Sequence, residues 1–559
     1  MQLHPTRAGA HLAIAATVVV AVGVLAGEAA IVGWGSAILV AVAVARAATL
    51  VSVARIRAAG FEMLWSGTQR TARTHRGSVV ELTAEVRNRD TLAARYVKLR
   101  ALASPNLEVT ILPERGEVVA GGRLKVTVRV TCPRVGQHGV HGLALEVHGA
   151  PGMFEVPLTF ANPFGVEVLP RALGLYLTMP RGGRSKALAP SGRAGNVRGD
   201  GDELRELRDH VPGDPFRRIA WKASARRGKL VVREMEREER DIVWVVLDAS
   251  TELWSGPPGK SPLDGMLDHA AAIATRHLGR GDRVGLCVVA STLRAWLPPE
   301  VGPGQAQKIA WALLSATATH DAARSDLDEL DVAVRVIEHL RPLDANGLGD
   351  VRRNDLDKLA ERAEAMRPRA PFRVKRPVAR SPREQTLRRY LASFGVDSPA
   401  KTEGERRETA RELAAALGRL GKEKPRPSLV HVLAQGPEGE WEGPLKDAIT
   451  TLRRRGARLS WVLPSFDAAI EVPRVASPDP DGAGDAVERF AMALGDAAPS
   501  AAMAVRVRAG LALELQEREL SRLGVRLARL RAPVRPDLPA PLPEGQVGGV
   551  ARGDSGDPS

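Results

Sequence analysis

The chain opens on two long apolar runs. "AHLAIAATVVVAVGVLA" fills residues 10–26, Gly27-Glu28 interrupts it, and a second run goes from Ala29 to Val44 and, past Arg46, to Val53. A helix needs about 20 mostly apolar residues to cross a hydrocarbon core. The pattern therefore predicts a transmembrane hairpin within residues 1–57, embedded through residues 10–53. Arg7, Arg46, Arg55 and Arg57 flank the outer ends, and Glu28 marks the turn. By the positive-inside rule, a two-pass inner (plasma) membrane protein results, with its soluble part cytoplasmic. A cleaved signal peptide is the alternative, but no small-residue cleavage site is followed by a polar mature start.

Polarity then alternates. "SVVELTAEVRN" sends Val80, Leu82, Ala84 and Val86 to one face, and "RLKVTVRVTC" does so with Leu124, Val126, Val128 and Val130. Turn residues separate such runs, so residues 62–175 are expected to form an antiparallel β-sandwich of immunoglobulin-like class. At residue 241 the period changes. "DIVWVVLD" is continuously apolar, as a strand covered on both faces must be, and strand–helix alternation follows. The expectation is a doubly wound α/β domain in two parts, 242–340 and 428–531, with a charged helical insertion at 341–427 and a disordered Pro/Gly-rich tail at 532–559. The fold class is thus multidomain: transmembrane α-hairpin, antiparallel β-sandwich, then α/β.

Charge adds little to this picture. The net charge of +15 suits nucleic acid, but aromatic residues are only 4% with three tyrosines, so stacking platforms are scarce and no nucleic-acid partner is expected. Cys132 and Cys287 sit in predicted strands without metal-spaced neighbours, which argues against zinc. His138, His141 and His148, near Gly139 and Gly142, read as solvated loop histidines. "GPPGKS" (256–261) misses phosphate-loop spacing because Trp254 occupies the first glycine position. No Ser-His-Asp or Cys-His arrangement stands out.

The densest stretch lies within 195–241: "GDELRELRDHVPGDPFRRIAWKASARRGKLVVREMEREERD" from residue 201. Pro212-Gly213 suits the centre of a type II turn. Asp214 is a good N-cap and Pro215 a good first helical residue. One helix would follow, with Phe216, Ile219, Ala220 and Ala223 on its apolar face. Arg217 and Trp221 would pair on an adjoining face, beside Arg218 and Lys222. After Gly228, "KLVVREM" returns as a strand.

Glu203, Leu207-Arg208, Pro212-Gly213-Asp214, Arg218-Ile219, Trp221-Lys222, Ala225-Arg226, Leu230 and Val232-Arg233-Glu234 resemble the signature of the DUF58 family, roughly E-x3-LR-x-Y-x-PGD-x3-R-x-I-D-W-K-x2-AR and then L-x-VRE. His210 replaces the usual tyrosine and Ala220 the usual aspartate, a change that removes a partner for one of the arginines. The resemblance implies a membrane hairpin, a β-rich region and a von Willebrand factor A-like domain. It implies no agreed catalytic activity. Members are often encoded beside MoxR-type AAA+ ATPases and other von Willebrand A proteins, which points to a non-catalytic adaptor or assembly protein with such partners. The signature is then either a junction packing the β region on the sheet, or a docking surface built from Arg208, Arg217, Arg218, Lys222 and Arg226 near Trp221, with Pro212, Gly213 and Asp214 setting the turn.

A von Willebrand A-like domain also implies a Mg²⁺ or Mn²⁺ site where parallel strands end. "LDASTELW" offers Asp248, Ser250 and Glu252, the last in place of the serine of an Asp-x-Ser-x-Ser pattern. "ARSDLDEL" offers Ser325, followed by Asp326, for a second loop. The third loop has Gln435 where an aspartate is wanted. Two departures at one octahedral site mark it as degenerate, without a bound cofactor. The alternative is a metal-dependent enzyme or ligand-binding protein using Asp248, Ser250 and Glu252.

Overall fold

A computed structural model describes residues 4–530 apart from 90, 92–93, 149–151, 179–192, 240, 255, 350–354, 402–405, 437–441 and 467–497. The expected tail, 532–559, lies outside the described residues.

Two apolar helices, α1 (Arg7–Ala26) and α2 (Ala29–Ala59), form the N-terminal hairpin and are long enough to cross a membrane. Thr6 caps the first and Gly27 ends it in the left-handed conformation. Small residues let the helices meet. A Cβ on Gly23 would fall within 3 Å of Val32, and one on Gly35 within 3 Å of Val20, while Ala16 and Ala45 are buried. Both outer ends meet the β region. Strand β1 (His4–Pro5) pairs with β10 (Phe154–Leu169), which α2 also contacts.

The β region is a sandwich of two sheets. One runs β1-β10-β9-β5-β7, where β9 is Gly136–His148, β5 Ala94–Ala103 and β7 Arg115–Val118; β3 (Thr71–His75) joins β10 in parallel, where only antiparallel pairing was expected. The other runs β2-β4-β8-β6, with β2 Phe61–Trp65, β4 Val79–Asn88, β8 Arg123–Thr131 and β6 Glu108–Leu112. The alternation read from sequence sets the register. Leu82 faces Val128 and Ala84 faces Val126 across the β4–β8 pair, and all four are buried in the shared core. Cys132 closes that core, its thiol pushed up to about 12 by burial.

The α/β module follows a short helix, α3 (Arg171–Thr178), and a two-stranded arm of β11 (Arg193–Asp209) and β12 (Val231–Glu239). Its sheet has the order β15-β14-β13-β16-β17-β18, with β13 Ile242–Asp248, β14 Arg283–Val289, β15 Leu293–Glu300, β16 Leu429–Leu433, β17 Arg458–Leu463 and β18 Arg526–Arg529. Only β15 runs antiparallel. Helices cover both faces, so β13 is apolar throughout. Val243, Val245 and Leu247 join the core under α5 (Pro262–Gly279) and α6 (Gly302–Ala316). Trp244 and Val246 join the opposite core, under α11 (Arg406–Leu420) and α12 (Glu442–Arg454). The last long helix, α13 (Ala498–Arg522), contributes Leu520 to that second core.

The helical insertion differs from expectation at both ends. Helix α7 (Glu329–Leu343), expected in the α/β part, shares a separate core with α9 (Leu356–Met366) and α10 (Pro382–Phe394); the short α8 (Ala345–Gly349) lies between. Helix α11, expected in the insertion, covers the sheet instead. The reason is burial: Val332, Val336 and Leu340 find Leu359, Leu387 and Phe394, while Leu413, Leu417 and Leu420 find the sheet.

Nor are His138 and His141 loop residues. Both lie in β9, where Gly139 and Gly142 serve close approach rather than a turn. A Cβ on Gly139 would lie 2.4 Å from the Phe394 carbonyl oxygen, and one on Gly142 1.9 Å from that of Phe160. The Gly139 amide donates to Gly395 (3.1 Å), and His339 Nε2 meets His141 Nδ1 at 3.0 Å while His339 Nδ1 meets the Tyr390 hydroxyl at 2.8 Å. The insertion is docked on the sandwich by these contacts. His148 ends the same strand.

Candidate functional site

Two places deserve the name. The first is the crest of the sheet, where β13 ends between β14 and β16, the ligand crevice of a doubly wound fold. Asp248 is 4% exposed there. Its carboxylate accepts from the backbone N–H of Ser250 at 2.9 Å, and from the Ser250 side chain and the Gln435 backbone. Burial, with the nearby Glu252 charge adding, still pushes its pKa up to about 6. Glu252 is half-buried in a 3-10 turn, Thr251–Trp254.

Ser325 is not delivered to this group. Its hydroxyl lies 2.9 Å from that of Ser398 and accepts from the Leu327 amide, and its backbone bridges Ala400. The residue before it, Arg324, comes to the crest instead. Its guanidinium is 1% exposed and donates to the carbonyls of Ala249 (2.6 Å), Ala316 and Ala318. This residue was passed over in the sequence; only its place beside a serine expected at the crest could have marked it.

The donor set does not fit a divalent cation. Asp248 is already engaged by backbone amides and Ser250, the second-loop hydroxyl points to Ser398, and a guanidinium stands against the first loop. Among the described residues no three His, Cys, Asp or Glu side chains come together to hold a metal. A hard octahedral ion needs oxygens free to turn toward it.

The second place is the arm. Pro212-Gly213 forms the expected turn, with the Asp214 amide donating to Val211 (3.1 Å) and Gly213 at φ +106°. The expected single helix is absent. A 3-10 turn at Phe216–Arg218 gives way at Ile219, which is buried and bridges Val232, and α4 (Trp221–Arg227) starts afresh. Arg217 and Trp221 are therefore not an i,i+4 pair on one helix.

Asp214 does not cap a helix either. Arg208 grips it through both terminal nitrogens at 2.6 and 2.7 Å, and the Val211 amide donates to it at 2.9 Å. The Arg208 contact, followed by the amide, lowers the Asp214 pKa to about 2. Arg208 thus holds the turn and is removed from the docking set. Arg217, Lys222 and Arg226 are exposed and Arg218 is half-buried. Among them, Phe216 is 75% and Trp221 63% exposed. Ala220, at the N-cap of α4, is buried and offers no capping oxygen; the usual aspartate would sit where a cap belongs, not where an arginine needs a partner.

The arm packs chiefly on itself. The sandwich–sheet junction is made elsewhere. Arg76 pairs with Asp268 and donates to Pro133 (2.8 Å) and Gly259 (2.6 Å), and Arg134 lies 3.4 Å from Asp264 and over the Trp254 ring at 4.2 Å.

An uncharacterized protein of Mycobacterium tuberculosis is 32% identical over 108 residues, covering 19% of this chain and 34% of that protein. One of Mycobacterium bovis matches equally, so the chain spans about a third of the length of these curated relatives. Among solved structures, the PapD-like domain 7 of human CEP192 covers 20% of this chain and 84% of its own, at 18% identity and a TM-score of 0.15, too low to carry an argument. Residues 206–346 match the family model described as "Protein of unknown function DUF58", which supports the resemblance read from the signature over that segment.

Proposed function

We propose that this protein is a non-catalytic docking and assembly protein, held at the inner membrane by its hairpin with its soluble modules on the cytoplasmic side. One observation carries the reading: the signature segment exposes two aromatics, Trp221 and, at a position the signature leaves open, Phe216, rimmed by Arg217, Lys222 and Arg226 and standing beside a turn locked by Arg208 and Asp214. Such an anchor of aromatics and arginine is what protein interfaces use. It fits a partner with an apolar pocket and an acidic rim. From the family resemblance, that partner is a MoxR-type AAA+ ATPase, acting with other von Willebrand A proteins.

A von Willebrand A-like character for the α/β module is supported by its antiparallel edge strand and by Asp248-x-Ser250 at the crest. The crest is a relic whose cation is replaced by hydrogen bonds and by Arg324. A cytoplasmic placement is supported by the basic residues at both hairpin ends.

The test is co-purification from membranes with the MoxR-type ATPase of the same organism. The full chain should retain the ATPase. The double variant Phe216→Ala, Trp221→Ala should lose it at least tenfold while keeping its melting temperature, since neither side chain is buried. Equal recovery by the variant would end the reading.

A further inference from the structure

A cavity of about 1150 Å³ opens where three modules meet. Asn106, Arg134 and His138 of the sandwich, β15 and α6 of the sheet, and the strap 373–378 with residues 397–400 of the helical insertion line it. Seven Lys or Arg residues face two acids, Asp321 and Asp397. Both acids are committed: Asp321 pairs with Arg294, and Asp397 accepts from the Ser104 hydroxyl. Three cations of the strap, Arg373, Lys375 and Arg376, are exposed and have no ion pair among the described residues. Trp254, Trp296 and Trp311 supply apolar wall.

Two further features select the ligand. Strand β15 ends its sheet, so one edge of its backbone N–H and C=O groups faces away from β14 while residues 294–297 line the cavity. The carboxyl end of α6 also lines it, through Ser315, Thr317 and Ala318. The lining has no glycine-rich loop to cradle a phosphate, and the carbonyls of that helix end are already taken by Arg324, Thr317 and Ala318. An extended peptide suits the edge and the strap. Its backbone can pair with the outer edge of β15, and its acidic side chains answer the strap.

We propose that this cavity binds an acidic, extended polypeptide segment, which adds to β15 and lays its carboxylates against Arg373, Lys375 and Arg376 and its apolar side chains against Trp311. The site is separate from the signature arm and does not depend on the reading given to it.

The experiment titrates the full chain, in nanodiscs of uncharged lipid, with a labelled ten-residue peptide alternating glutamate with leucine or serine. Binding should weaken at least tenfold in the variant Arg373→Glu, Lys375→Glu, Arg376→Glu, and should weaken steeply with salt. Those side chains hold nothing together, so near-ultraviolet dichroism should not change. Trp311→Ala, with every charge intact, should cost at least threefold. Equal affinity for a lysine peptide of the same length would overturn the proposal, as would wild-type affinity in the charge-reversed variant. Displacement by pyrophosphate as readily as by unlabelled peptide would make the cavity a phosphate site and also end it. Loss of binding in Phe216→Ala, Trp221→Ala alone would move the peptide to the arm, ending this proposal while leaving the docking reading intact.

Discussion

A buried carboxylate makes the crest measurable. In the unfolded chain Asp248 titrates near 3.8, and in the folded chain near 6. A raised acid pKa leaves stability full below the unfolded value, and it declines as pH climbs toward the folded one. The loss is on the order of 3 kcal/mol, since each unit is worth about 1.4 kcal/mol. Asp248→Asn keeps an acceptor for one amide and cannot ionise. Its advantage in thermal stability over the parent should grow from pH 4 to about 6.5 and then level off; an advantage that does not change with pH would show the carboxyl to be solvated. The position of Asp248 was legible, because a buried strand followed by a polar turn puts its last residue at the crest. The fate of Ser325 was not: its partner, Ser398, is 73 residues away in sequence.

At the scale of elements, the arm shows local rules losing to a competitor. Asp214 and Pro215 satisfy every requirement for starting a helix, yet Arg208 captures the carboxylate six residues later in the chain, and a charge-assisted bidentate contact outweighs a cap. The helix that does form begins at an uncapped Ala220. Ala220→Asp should supply the missing cap to the Lys222 or Ala223 amide and steady α4 by about 1 kcal/mol, read as slower hydrogen exchange across Trp221–Ser224. Faster exchange there would mean that the buried position rejects the charge. Strands were the better-read elements. The β4 and β8 alternation matched the burial of Leu82, Ala84, Val126 and Val128, because period two has no local rival.

For the whole molecule, the joint between insertion and sandwich should respond to pH. Burial lowers the His141 pKa to about 4, against a smaller opposing pull from Asp397, and burial with the neighbouring His141 lowers that of His339 well below its usual value. A depressed histidine pKa contributes nothing adverse above the unfolded value of 6.5, and stability falls as pH drops through the folded one. The docked insertion should therefore loosen between pH 6.5 and 4, by up to on the order of 3 kcal/mol for His141. Exchange protection of Val332–Leu340 should fall across that window in the parent, and fall less in His339→Gln. Protection that holds level to pH 4 would show the pair to be accessible to protons without cost.

Sequence by itself determined the modules, because hydrophobic period reports burial directly: two apolar helices, alternating strands, then a continuous strand covered on both faces. It also carried the DUF58 resemblance of residues 206–346, because the arm's turn, arginines and tryptophan stand at short fixed spacing. Tertiary structure alone decided which side chains meet. It put Arg324 at the crest in place of a metal ligand, gave α7 to the insertion and α11 to the sheet, and buried His141 against His339. Those outcomes depend on contacts between residues far apart in the chain, and local polarity carries no record of what lies across an interface.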